Sequence, residues 1–227
     1  MSMGYKSVAI DGPSGAGKST LARRLAQAMG YLYVDTGAIY RTLGLAALRH
    51  GVDAEDSSGV IALLGQVSID LRHGEDGLQH MYLDGEDVSA AIREPRVSRY
   101  ASGVSAIPEV RAFLMDMQRD LARRQNVIMD GRDIGTVVLP DADVKIFLTA
   151  TAEDRAQRRY AELTERGTDT DFDTVLRDII ARDEKDTQRA AAPLRQAEDA
   201  IAVDTTGNTL EESFRQLLGV VRAGVGL

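Results

Sequence analysis

A three-layer α/β fold, with helices on both faces of a five-stranded parallel sheet, is what this 227-residue sequence predicts. Three observations carry it. Short apolar runs alternate with helical stretches, the pattern of strand–helix–strand units whose crossovers cover a sheet on both sides. A Gly-x4-Gly-Lys-Ser string, Gly12 to Ser19, lies between the first apolar run and the first helical pattern, which is where a phosphate-cradling loop sits. Residues 66–92 break the alternation and read as a small antiparallel β insertion.

The core strands are expected at 7–10, 31–34, 127–130, 144–148 and 200–203. The first helix is expected from Lys18 to Met29, with Leu21, Leu25 and Ala28 at helical spacing and Gly30 as its stop. Thr36 and Gly37 open a second helix that puts Arg41 one turn in. Within the insertion, Val67–Leu71 alternates apolar and polar, Leu78–Leu83 is a second run, and Asp84-Gly85 is turn chemistry before Glu86-Asp87-Val88. A long unstructured loop is the other reading of that stretch. Pro108 suits the first position of a long helix carrying Val110, Phe113, Leu114, Met117 and Leu121. A helix from Thr151 sets Arg155, Arg158 and Arg159 on one face. Arg182, Asp186 and Arg189 share a face of a later helix, where Arg182 and Asp186 can pair with each other or Asp186 can accept from a sugar hydroxyl. Thr209 and Glu212 form a capping box for the last helix.

Composition narrows the function. The net charge of −8 argues against non-specific binding to nucleic acid or an anionic membrane. Phosphate grip must then come from clustered arginines. There is no cysteine, so disulfides and thiolate metal sites are excluded. No apolar run approaches the ~18 residues of a membrane span. The first strand begins near Ser7, so no signal peptide is expected and a cytoplasmic setting follows.

The loop Gly12, Pro13, Ser14, Gly15, Ala16, Gly17, Lys18, Ser19 and Thr20 points backbone N–H groups at a nucleotide's phosphates. Lys18 reaches the β/γ oxygens, and the Ser19 hydroxyl suits Mg²⁺. Asp35 to Arg41 and Asp130-Gly131-Arg132-Asp133 each follow a strand end, where open α/β sheets bind ligands. Asp130 can hold hydrated Mg²⁺, and Arg132 a phosphoryl group. The polar stretch Glu165 to Asp171 after the arginine helix reads as a mobile loop, so that helix and loop together form a lid. His50, His73 and His80 lack ligand or triad spacing and read as structural or solvated. A GTP-binding switch would need an Asn-Lys-x-Asp base reader, which is missing. A kinase for shikimate or gluconate would not need the insertion or the two arginine-pair segments.

The strings DGPSGAGKST at 11–20, DTGAIYR at 35–41, LDGEDVSAAIR at 83–93, ASGVSAIPEVR at 101–111, MDGRDIGTVVLPDADVKIFLTA at 129–150 and RDEKDTQRAAAPL at 182–194 together resemble the bacterial-type cytidylate kinases. These are P-loop NTPase-fold nucleoside monophosphate kinases. The resemblance implies one kinase domain: a core of 1–35, 104–154 and 172–227, a CMP-binding region with the insertion at 36–103, and a lid at 155–171. It implies ATP as donor with Mg²⁺, CMP and dCMP as acceptors, and a monomer without nucleic-acid or membrane partners. Ser102, Arg111 and Asp133 are implied to read cytosine, and Arg41, Arg132 and Arg189 to hold the CMP phosphate. Arg182 and Asp186 serve the ribose end, Thr36 and Tyr40 line the CMP side, and Arg155, Arg158 and Arg159 belong to the lid over ATP. A carboxylate at 133 accepts from the cytosine amino group but would face a carbonyl on uracil, an unpaired contact.

Overall fold

The computed structural model describes residues 4–74, 77–165 and 167–227. Arg166, in the expected polar loop, lies outside them. The main sheet joins β1 (Ser7–Asp11), β2 (Leu32–Asp35), β6 (Val127–Gly131), β7 (Val144–Thr149) and β8 (Ile201–Asp204) in the order β2-β6-β1-β7-β8. All four pairings are parallel. Each strand runs one residue past the expected end. The ladder continues into Asp11, Asp35, Gly131, Thr149 and Asp204 after the apolar pattern has stopped. Three of those five are carboxylates, so the ligand-binding edge begins inside the strands.

Both faces of the sheet are covered, which is why β1 reads as a continuous apolar run. Val8 and Ile10 pack with Leu21 and Leu25 of α1 (Lys18–Met29) and with Leu217 and Val221 of α8 (Leu210–Val225). Ala9 and Met129 face the other way, onto Ile134 and Val138. The expected capping box at Thr209 and Glu212 is present in full. Gly30 ends α1 with φ 65°, as its position predicts.

A separate apolar core lies beyond β2. It packs α2 (Thr36–Arg49), α3 (Ser57–Leu64) and α4 (Pro95–Val104) around a three-stranded antiparallel sheet. That sheet is β3 (Ile69–His73), β4 (Gln79–Leu83) and β5 (Glu86–Asp87), in that order. The insertion is therefore a folded sheet. Alternation holds at Ile69, Met81 and Leu83, which are buried beneath α2. The long helix, α5 (Pro108–Arg124), carries Pro108 at its start as expected. Val110 and Leu114 of its apolar stripe are buried, and Met117 and Leu121 are partly buried beside them. Phe113 falls at the margin of that stripe and is 45% exposed, which corrects its place on the expected face.

α6 (Ala152–Glu165) and α7 (Phe172–Gln188) pack on each other through Ala156, Val175 and Ile179. α7 stops at Gln188. Arg189 is already extended, with ψ 139°, so it does not share the helix face with Arg182 and Asp186. Among the described residues no helix is long and apolar enough to cross a membrane.

Candidate active site

The loop after β1 crosses directly over β7. A Cβ on Gly12 would lie 2.0 Å from the Leu148 carbonyl oxygen, so only glycine fits there. Gly17 caps α1 at φ 82°, with no side chain satisfying the first-turn N–H groups. Those donors and the positive helix end face the loop's interior. Lys18 folds back and donates to the Pro13 carbonyl at 2.7 Å. Burial, and then the Arg132 guanidinium, presses its amine well below the usual lysine range. A lysine in this state favours an anion beside it.

Next to the loop, Asp130 at the end of β6 accepts from the Ser19 hydroxyl at 3.0 Å and from the Tyr33 hydroxyl at 2.9 Å. Burial, with the nearby Asp35 charge, lifts the Asp130 carboxyl to about 6. A hydroxyl and a buried carboxylate side by side are oxygen donors of the kind Mg²⁺ accepts. No cluster of three ligating side chains exists among the described residues. Such a pair fits a cation held mainly by substrate phosphates and water.

Across the cleft, Asp35 ends β2 and caps α2. Its Oδ1 accepts from the Ala38 N–H at 2.9 Å, and its Oδ2 accepts from Arg41 at 2.8 Å and from Arg93 at 3.1 Å. Burial acts to raise this carboxyl, but the two arginines and the cap outweigh it and hold it below the usual range. The Thr36 hydroxyl donates to the Asp130 carbonyl at 2.8 Å, joining the starts of the two segments.

Asp133 sits between Arg111, which ion-pairs with it, and Arg189, 3.3 Å away. The Arg111 guanidinium also stacks 5.5 Å over the Tyr40 ring. Arg132 donates to Asp186 at 2.7 Å. The Arg182–Asp186 pair that helical spacing allows is thus replaced by a bond from another segment. Arg182 is half-buried, with its Nε enclosed and without a partner, and Arg41 Nε is unpartnered as well. Burial, then Arg132, lowers the Arg182 guanidinium to about 10. Two unpartnered buried guanidinium nitrogens beside Lys18 and Arg132 form a site short of negative charge.

From the lid side, Arg158 donates to the Thr205 carbonyl at 2.6 Å and Arg159 to Glu162 at 2.7 Å. Arg155 takes a different position from its helical neighbours. It is buried beneath the loop, donating to the carbonyls of Ser14 and Ala150 and pairing with Asp183 at 2.6 Å.

These segments enclose one cleft of about 790 Å³. Ser14, Gly15, Gly17, Lys18, Ser19 and Thr20 line it from the loop. Thr36, Tyr40, Arg41, Ser102, Arg111, Asp130, Arg132, Asp133, Arg158, Arg159, Arg182, Asp186 and Arg189 line the rest. Gly12, Pro13 and Ala16 are buried within the loop's turn. Four contributors escaped the sequence reading. Arg93 also lines the cleft, and it closes the string 83–93 that helped establish the resemblance. Asp35 and Tyr33 act through Arg41 and Asp130. Asp11 accepts from the Ile134 and Gly135 N–H groups at 2.8 and 2.7 Å, fixing the turn that follows Arg132 and Asp133. Asp11 and Asp35 are polar residues at strand ends, a signal that does not name their partners, while Tyr33 and Arg93 lie elsewhere and carried no such signal.

Comparison with known proteins agrees in sequence and fold. The family model described as cytidylate kinase matches residues 8–223. The cytidylate kinase of Caldicellulosiruptor bescii is 51% identical over 211 residues, 93% of each chain. That of Carboxydothermus hydrogenoformans is 49% identical over 214 residues, 94% of this chain and 96% of its own. An uncharacterised protein of Eubacterium ventriosum, 10% identical, shares the fold with a TM-score of 0.52 over 96% of this chain and 99% of its own.

Proposed function

The chain belongs to the cytidylate kinase family, ATP-dependent phosphotransferases acting on CMP, and on that premise we propose how its cleft seats the two substrates. ATP occupies the glycine loop. CMP occupies the pocket between α2, α4, α5 and the end of α7. The carrying observation is the unbalanced cluster of Lys18, Arg41, Arg132 and Arg182 where the two halves meet. Two phosphate chains meeting there supply the negative charge that the protein withholds.

The attacking group is an oxygen of the CMP phosphate, ionised near neutral pH, so no general base is required. The reaction is in-line transfer of the γ-phosphoryl group, and catalysis is positioning with charge neutralisation. Lys18 leaves the Pro13 carbonyl for the donor phosphates. Arg41, Arg132 and Arg189 hold the acceptor phosphate, with Asp186 aiming Arg132. Arg158 and Arg159 swing from Thr205 and Glu162 onto the transferring group as the lid, 155–171, closes and excludes water. Arg155 braces the loop from beneath through Ser14. Ser19 and Asp130 would hold Mg²⁺, which when bound neutralises charge on the β- and γ-phosphate oxygens. Asp133, held by Arg111 and Arg189, accepts from the cytosine amino group, while Arg111 and Ser102 donate to the ring. dCMP is accepted at the same site, with Asp186 and Arg182 at the sugar end.

ADP formation from Mg·ATP over a panel of CMP, dCMP, UMP, AMP, GMP and shikimate tests the assignment. Strong turnover with CMP and dCMP and weak turnover with UMP is expected. Equal rates with CMP and UMP would remove the role of Asp133. ADP release independent of any acceptor would remove the acceptor site itself.

A further inference from the structure

We infer that Gln79, in the β insertion, is a positioning residue for the acceptor phosphate and that the insertion serves the reaction through it. β2 is an outer strand of the main sheet. Its outward backbone groups need partners that a sixth strand would otherwise supply. Here side chains of the insertion supply them. Gln79 Oε1 accepts from the Asp35 N–H at 2.8 Å, and Gln79 Nε2 donates to the Asp35 carbonyl at 3.1 Å. One primary amide thus closes a ring on one residue's backbone. His73, at the end of β3, lies 3.0 Å from the Tyr33 carbonyl, an acceptor that requires its Nε2 to donate.

The residue so clasped directs the acceptor-side cations. Asp35 carries Arg41 and Arg93 on one carboxylate oxygen and the α2 cap on the other. It is also buried. A shift of its backbone therefore moves the cap and both arginines together. Gln79 itself does not line the cleft. Its effect reaches CMP through Asp35, while among the described residues the ATP loop, on β1 and α1, takes no direct bond from the insertion and is reached only at a remove, through Tyr33 and Asp130.

The inference rests on the cytidylate kinase reading of the cleft. Its test is steady-state kinetics with each substrate varied, beside thermal melting, for Gln79→Met and Gln79→Glu. Gln79→Met keeps length but breaks both bonds. It should raise the KM for CMP roughly 5- to 10-fold, about the loss of one net hydrogen bond, with the KM for ATP within about 2-fold. Gln79→Glu keeps the acceptor for the Asp35 N–H but sets an oxygen against the carbonyl, and its CMP defect should be at least as large. It carries the same test if the Met variant fails to fold. In an Asp35→Asn background the Gln79→Met effect should shrink, since the arginines are then no longer ion-paired to the clasped residue. An unchanged KM for CMP, equal losses for both substrates, or full additivity with Asp35→Asn overturns the inference. A parent enzyme that does not turn over CMP overturns the family reading and the inference with it. A parent that does, with variants indistinguishable from it, overturns the inference alone.

Discussion

Asp11 shows how one buried carboxylate ties two binding loops together. It ends the strand that launches the glycine loop, and it anchors the turn after Arg132 and Asp133 through two backbone N–H groups. Burial raises its pKa from 3.8 to about 6, against the pull of those two N–H groups. The folded chain thus keeps a proton that the unfolded chain releases near 3.8. Between these values the folded state binds more protons, so this group's contribution to stability falls as pH rises from about 4 to 6 and stays low above. Asp11→Asn has no such titration. The stability of the parent minus that of Asp11→Asn, from urea unfolding at fixed pH, should decline across that window by as much as about 3 kcal/mol. A flat difference would show that Asp11 is not protonated there. At this scale the sequence was legible by type and illegible by partner. Arg132 and Asp186 were both singled out, yet helical spacing offered Asp186 the wrong arginine. The pairing that forms spans 54 residues, and only the tertiary fold brings its ends together.

The contact of α2 with α4 sets the shape of the acceptor pocket. Gly44 of α2 meets the α4 backbone. A Cβ there would lie 2.9 Å from the Ala101 nitrogen and 3.2 Å from the Tyr100 carbonyl carbon. Backbone cannot yield as a flexible side-chain tip does, so Gly44→Ala must push the helices apart. The expected cost is about 1–3 kcal/mol, read from the urea midpoint. Because α4 carries Ser102, the KM for CMP should also rise more than the KM for ATP. A variant with unchanged midpoint and kinetics would show that the helices separate freely. The strongly periodic elements, β1, α1 and α5, could be read from sequence. So could the insertion, from its alternation and its Asp-Gly turn. α4 could not, because its buried positions are only Val97, Ala101 and Val104, too few and small to stand out. The π-helical turn 134–138 was also hidden. It depends on Asp11 from another strand rather than on its own residues.

Over the whole molecule, a large apolar core lies on each side of the polar cleft. The main sheet with α1 and α8 carries the glycine loop. The core of α2, α3, α4 and the insertion carries the acceptor pocket. Each substrate should therefore quiet its own part. Hydrogen exchange should slow chiefly in α2 and α4 on adding CMP, and in the loop and α1 on adding ATP. Protection spread evenly by either ligand would mean the two cores respond as one body. The covered strand β2 has a further consequence. A bare outer strand is a template on which other chains can add, the first step of edge-to-edge aggregation. With the Tyr33 carbonyl and both backbone groups of Asp35 engaged by His73 and Gln79, that rim is a poorer template, and the opposite rim, β8, is only four residues long. The insertion is thus a guard on solubility as well as part of an enzyme.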